Sequence, residues 1–263
     1  MTPVAPSIAD TPPAIELSLL RKSYNGVPAV DGLSLQVPQA CFYGFLGPNG
    51  AGKTTTIKML MGMALPDSGS IRVLGMEMPG QSLPIRQAIG AVPDDTLLFD
   101  YLTGLEYLQF VGRLYGLERR VAKERGRELL ALFELQEDRK LIGGYSKGMR
   151  KRVAMASALI HRPRLFLLDE PFEGVDAVGA RLMKNILQEQ VAGGATVFLT
   201  SHVLEVVERL CDRVAIIHRG KIMVEGAMAE LRAQGTAGAT TLEEIFVNTI
   251  GAEYRNETLD WLR

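Results

Sequence analysis

Three short segments of this 263-residue chain carry the residue types that phosphoryl chemistry needs. Gly47-Pro48-Asn49-Gly50-Ala51-Gly52-Lys53-Thr54 fits the spacing G-x-x-x-x-G-K-[S/T] without a gap. Glycines let such a loop wrap with its N–H groups turned inward, and the positive end of the following helix completes an anion cradle. There Lys53 would reach the β- and γ-phosphates of a nucleotide, and Thr54 would place a hydroxyl on Mg2+. Asp169-Glu170 closes an apolar run, Leu165-Phe-Leu-Leu168. A strand-end aspartate can hold Mg2+ through water, and the adjacent glutamate can orient or deprotonate an attacking water. Between the two lies Tyr145-Ser146-Lys147-Gly148-Met149, ahead of a helical run from Val153 to His161. A serine N-cap beside a glycine is a third anion site. Its basic neighbours Lys147, Arg150, Lys151 and Arg152 read as a solvated helix face rather than a nucleic-acid patch.

These residues need strands and helices to hold them. Short apolar stretches rich in strand formers occupy Ile15–Leu20, Leu33–Val37, Phe42–Leu46 and Ile71–Leu74, separated by Gly, Pro and Asn turns. Strand, Gly-rich loop and helix (Thr54 to Leu65) follow one another, the opening of an α/β nucleotide fold. From Asp94 to Arg162 there is no proline, and the pattern becomes helical. Thr103-Gly-Leu-Glu106 has capping-box spacing, with Leu105, Leu108, Val111, Leu114 and Tyr115 behind it. A second helix is expected from Val121 to Leu135, with Leu129, Leu132 and Phe133 on one face. The α/β core resumes with the strand ending at Asp169. Ala195–Ser201 reads as another buried strand leading into His202, and Arg219-Gly220 as the turn of a hairpin. Thr241-Leu-Glu-Glu244 is a second capping box.

Composition removes other classes. Lys+Arg 29 against Asp+Glu 30 gives a net charge of −1, so no global field grips a phosphate backbone and no nucleic-acid partner is expected. Cys41 and Cys211 have no neighbour at metal-ligand or CxxC spacing, which removes a disulfide scaffold and fits a reducing compartment. Gly32 to Gly52 is uncharged, yet its prolines, Asn49, glutamines and five glycines cannot form an apolar spanning helix. Residues 1–13 hold four of the 13 prolines and lack the pattern of a secretory signal. They read as a flexible leader of a soluble, intracellular protein, whose link to any membrane goes through a partner.

In this order the three segments resemble the nucleotide-binding domain of the ATP-binding cassette (ABC) family, from about Ile15 to Gly226. The resemblance implies a P-loop NTPase fold, a mixed β core with an inserted α-helical subdomain. Its expected boundaries are 14–226 for the ATPase domain, about 95–162 for the helical subdomain and 227–263 for a C-terminal helical extension. Tyr24 resembles the aromatic that stacks on adenine. Gly47 to Thr54 resembles Walker A, with Thr55 a further phosphate contact. Ser146 and Gly148 resemble the signature that binds the γ-phosphate of ATP held by the opposite subunit. Asp169 and Glu170 resemble Walker B and the catalytic carboxylate, Gly174-Val-Asp176 the loop that communicates across the dimer, and His202 the switch histidine. His161 and His218 match nothing and read as structural.

The chain also departs from that pattern. Lys147 stands at the signature's usual first glycine and Met149 at its usual glutamine. Asp94 stands where the family has a glutamine that meets Mg2+ and the partner's coupling helix; its charge and shorter length alter both contacts. Tyr145 to Met149, Phe99 to Glu106 and Thr241 to Phe246 resemble the export-type branch, in which the ATPase pairs with a separate membrane permease. The expectation is an ATP-hydrolysing subunit with Mg2+, acting as two copies on the cytoplasmic face of the cell membrane. Two rivals stay open. A soluble ABC ATPase acting on ribosomes or nucleic acid usually carries two cassettes per chain, and a binding-only ATP clamp is disfavoured by Glu170.

Overall fold

The structure is a computed structural model and describes residues 12–95, 97–135, 140–234 and 241–251. Most of the expected leader, and residues 252–263 of the expected C-terminal extension, lie outside the described residues. Two sheets organise the core. In the first, β1 (Ile15–Tyr24), β2 (Val27–Val37), β4 (Ser68–Val73) and β5 (Met76–Met78) run antiparallel in the order β2-β1-β4-β5. The second contains β3 (Phe42–Leu46), β6 (Ile89–Val92), β7 (Leu165–Asp169), β8 (Thr196–Ser201), β9 (Arg213–His218) and β10 (Lys221–Ala227). Its order is β10-β9-β3-β8-β7-β6, parallel except for β10.

The second sheet separates two hydrophobic cores, because successive side chains of a strand point to opposite faces. Tyr43, Phe45, Leu165, Leu167, Phe198 and Ala215 enter one core with the antiparallel sheet and α1 (Lys53–Leu60). Phe42, Leu46, Phe166, Leu168, Val197 and Leu199 enter the other, with α5 (Lys147–Leu159) and α6 (Ala177–Ala192). Covered on both sides, β3, β7 and β8 are buried at every position, which is why they lack the polar alternation of a half-exposed strand.

The helical insert contains α3 (Gly104–Leu114), α4 (Arg119–Leu132) and α5; α2 (Ser82–Ala88) precedes it. Both halves of the Thr103/Glu106 capping box form, as do those of Thr241/Glu244 at the start of α9 (Leu242–Ile250). Shorter helices α7 (Leu204–Leu210) and α8 (Met228–Gln234) complete the order. The expected hairpin at Arg219-Gly220 is present, with both residues at positive φ as a two-residue turn requires. A second such turn at Asn25-Gly26 joins β1 to β2 and lengthens both strands beyond the expected segments.

Four expectations are corrected. The helix after the Gly-rich loop stops at Leu60 rather than Leu65, before Gly62 at φ 68°. The second helix of the insert ends at Leu132, so Phe133 is its cap, and Leu132 is 45% exposed while Phe133 is buried. The helix after Ser146 runs from Lys147 to Leu159 rather than from Val153 to His161, so the basic residues belong to its first turns. That basic run is not wholly solvated, since Lys151 is completely buried.

His161 is structural, as read. Its ring stacks on Tyr115 with centroids 3.6 Å apart, and its Nε2 lies 3.0 Å from the Ile89 carbonyl oxygen. A carbonyl only accepts, so Nε2 carries the proton. Nδ1 is buried and has no partner among the described residues. Protonating Nδ1 would bury an unmatched donor, and burial holds the His161 pKa below its ordinary 6.5.

Two measurements check this architecture. The buried Phe198 ring lies 5.8 Å from Tyr43 and 5.3 Å from Phe45, so Phe198→Ala should cost about 3–5 kcal/mol in denaturant unfolding. With its folded pKa depressed, His161 binds more protons in the unfolded state, so stability declines as pH falls below about 6.5. Denaturant midpoints between pH 7 and 5 should fall in the parent chain and fall less steeply in His161→Phe.

Candidate nucleotide site

The Gly-rich loop spans the gap between β3 and α1 and is held from beneath by the first sheet and β9. A Cβ on Gly52, at φ 110°, would stand 2.4 Å from the Ala29 carbonyl oxygen, and one on Gly47 would stand 2.3 Å from that of Ile217. Both glycines are therefore set by close approach as much as by turn geometry. The Thr56 N–H and hydroxyl both donate to Gly52 O at 2.9 Å, fixing the loop to the first turn of α1. Lys53 Nζ donates to Gly47 O at 2.7 Å and Pro48 O at 3.2 Å, so its ammonium is clasped by the loop's own carbonyls. Burial lowers the Lys53 pKa, and the charges of Glu170 and Asp169 oppose that shift.

A cavity of about 270 Å³ opens over this loop, lined by Ala29, Asn49 to Thr55, Asp94, Asp169 and Glu170. The structure thus brings together Asn49, Gly50, Ala51, Gly52, Lys53, Thr54, Thr55 and all three acids singled out in the sequence. A larger cleft of about 600 Å³ lies between α4 and the C-terminal ends of α5 and α6, away from these groups.

The two acids are held by neighbouring strands. The Thr200 hydroxyl of β8 donates to Asp169 Oδ1 at 2.5 Å and accepts the Glu170 backbone N–H at 3.1 Å. Glu170 sits at φ 47°, a left-handed position that costs roughly 1–3 kcal/mol for a residue with a side chain. Its Oε2 lies 3.0 Å from His202 Nδ1 and accepts the His202 backbone N–H at 3.3 Å. His202, just beyond β8, therefore touches the acid without lining the cavity. Thr200 was not singled out in the sequence; its signal was a hydroxyl residue in a buried strand, placed beside the strand that carries the acids.

Other expected residues stand apart. Tyr24 is half exposed at the end of β1 with Lys22 Nζ 5.5 Å from its ring centroid, and it does not line the cavity. Ser146 caps α5 by accepting the Met149 N–H at 3.2 Å, is exposed, and is likewise outside the cavity with Gly148. Asp94 lines the cavity; its backbone carbonyl accepts from Lys151 Nζ at 2.9 Å and its Oδ1 lies 3.7 Å from the same ammonium.

Comparison with known proteins places this arrangement. Residues 30–173, more than half of the chain, match the family described as ABC transporter. The daunorubicin/doxorubicin resistance ATP-binding protein DrrA of Streptomyces peucetius is 41% identical over 221 residues, covering 84% of this chain and 67% of that protein. The Nod factor export ATP-binding protein I of Ralstonia nicotianae is 38% identical, covering 87% and 71%. A solved ATP-binding subunit of an ABC transporter superposes with a TM-score of 0.84 at 29% identity, over 90% of this chain and 99% of that one. A dimeric ATP-binding cassette in a post-hydrolysis state with ADP and Pi shares the fold, with a TM-score of 0.76 at 23% identity over 81% and 98%. The extent of these matches, on a loop and acids already gathered at one sheet edge, shows that the chain belongs to the ABC transporter family as an ATP-hydrolysing cassette.

Proposed function

We propose that this chain drives an exporter whose membrane permease is a separate polypeptide, and that two copies of it close on two ATP molecules. The observation that carries this reading is the placement of Ser146. It caps a helix outside the cavity holding Lys53 and Glu170, on exposed surface where a second copy can reach it. Gly47 to Thr55 would hold the phosphates of one ATP, Tyr24 would stack on its adenine, and Ser146 with Gly148 of the other copy would meet the γ-phosphate. Glu170, oriented by His202, would take the proton of the attacking water, while His202 senses the γ-phosphate. Thr54, Asp169 and Asp94 present hard oxygen donors beside the phosphate loop, which suits Mg2+. Three carboxylates against one ammonium leave the cavity lining net negative, so an anionic triphosphate would enter with a divalent cation to neutralise it. When bound, that ion would polarise the transferred phosphoryl group.

Drug-resistance and Nod-factor-export relatives support export, and the dimeric cassette supports pairing. In this reading residues 14–226 form the ATPase domain, about 95–162 the helical subdomain and 227–263 an extension. Among the described residues no helix is long and apolar enough to cross a membrane. Residence on the cytoplasmic face would then depend on the permease. Leu97, Phe99 and Tyr101, exposed between Asp94 and α3, fit its coupling helix.

Two experiments test this. Glu170→Gln should retain ATP binding, lower hydrolysis by about 10²–10⁴-fold and trap a nucleotide-bound pair. Near-normal turnover in the presence of the permease would remove Glu170 from its role. Lys53→Ala should abolish phosphate binding in its own copy, whereas Ser146→Arg should leave monomer binding intact and block closure. Mixing these two inactive variants leaves one unmodified composite site per mixed pair, so some ATPase activity should return. Verified mixed pairs without activity would count against completion by a second copy.

A further inference from the structure

Two lysines one turn apart on α5 reach two different strand-end loops. Lys147 Nζ meets Glu173 Oε1 at 2.6 Å in the loop after β7. Lys151 Nζ donates to the carbonyl oxygens of Asp94, at 2.9 Å, and Pro93, at 3.4 Å, in the loop after β6. It also stands 3.7 Å from Asp94 Oδ1. Strands β6 and β7 are parallel neighbours, so both contacts fall on the edge that carries Asp169 and Glu170. The Lys151 side chain is completely buried, and a buried ammonium is costly unless its donors and charge are matched. Asp94 supplies both matches, a carbonyl inward and a carboxylate beside the phosphate cavity.

The loop after β7 is seated as closely. The Glu173 N–H donates to Glu170 O at 3.3 Å, linking the Lys147 contact to the hydrolytic acid's own backbone. Gly174 has φ 73°, and a Cβ there would stand 2.7 Å from Lys147 Cδ. One on Gly148 would stand 3.0 Å from Gly174 O. The first turn of α5 therefore rests directly on this loop, with little room for the two to slide.

On the reading of Ser146 as the group that completes the site of a second copy, we infer that Lys147 and Lys151 are positioning residues, a two-point staple that sets Ser146 against the chain's own Asp94 and Glu170. The staple thus links the site a chain occupies to the site it completes.

The test uses the full chain. Lys151→Met keeps an apolar stem and removes the ammonium, and Glu173→Gln removes the charge from the outer contact at a half-buried position. Monomer ATP affinity should stay within about twofold in both, because neither contact touches the phosphate loop. Backbone hydrogen exchange at Asp94, Asp95 and Leu97, whose N–H donates to Asp95 O, should quicken about tenfold in Lys151→Met, with β3 and β8 unchanged. In a Glu170→Gln background, the ATP concentration for half-maximal pairing should rise about tenfold with Lys151→Met and about threefold with Glu173→Gln. The double variant should exceed the product of the two, since either contact alone still holds the helix. A merely structural lysine would instead lower the unfolding temperature, quicken exchange throughout the core and weaken monomer affinity together with pairing. A folded Lys151→Met with unchanged loop exchange and unchanged pairing overturns the staple. Should Lys151→Met not fold, Glu173→Gln and Lys147→Gln decide the matter, and unaltered pairing in both overturns it. If Glu170→Gln with both lysines intact fails to pair on ATP, the two-copy reading is what fails. The exchange measurement needs no pair, and unchanged exchange at Asp94, Asp95 and Leu97 would still overturn the staple.

Discussion

Two adjacent carboxylates at the end of a strand buried on both faces are unfavourable unless something holds them, and here the holding starts from one hydroxyl. Thr200 donates to Asp169 and accepts from the backbone of Glu170, so a single side chain of β8 fixes one carboxylate and the backbone that presents the other, which His202 then holds. Its position follows from sheet order. Strand β8 lies between β3, which delivers the Gly-rich loop, and β7, which delivers the acids. Because all three strands are parallel, their carboxyl ends meet on one edge, the place where open α/β sheets take their ligands. The two cores on either side immobilise that edge, and the loop's own carbonyls hold Lys53 against it.

What was legible in the sequence is what depends on near neighbours. Gly47 to Thr54 announces itself because a phosphate cradle needs glycines and a lysine at fixed intervals, and Gly52 shows why: the Ala29 carbonyl leaves no space for a Cβ. Capping boxes at Thr103 and Thr241 were readable for the same reason, as each closes within four residues. The acids could be singled out from the apolar run that ends at Asp169.

What was not legible depends on partners far along the chain. Thr200 acts on residues 30 and 31 positions away, and nothing near it in sequence records the bond. Lys151 is the sharper case. Within its basic run it looked like a solvated residue, but the helix turns it inward to carbonyls 57 and 58 positions away. Periodicity gave the right faces for Leu108 and Phe133 but misplaced Leu132, which falls on the rim of the cleft beside α4 rather than in the core.

The left-handed backbone at Glu170 sets folding against chemistry. Glycine would relax that conformation, yet it would remove the carboxylate on which the proposed hydrolysis depends. Selection for heat resistance alone would therefore favour losing this residue, and selection for turnover would favour keeping it. A consensus or thermostability design that scores residues by backbone comfort would mark position 170 for repair. The position should be held fixed in such a design, with added stability sought in the cores on either side of the sheet.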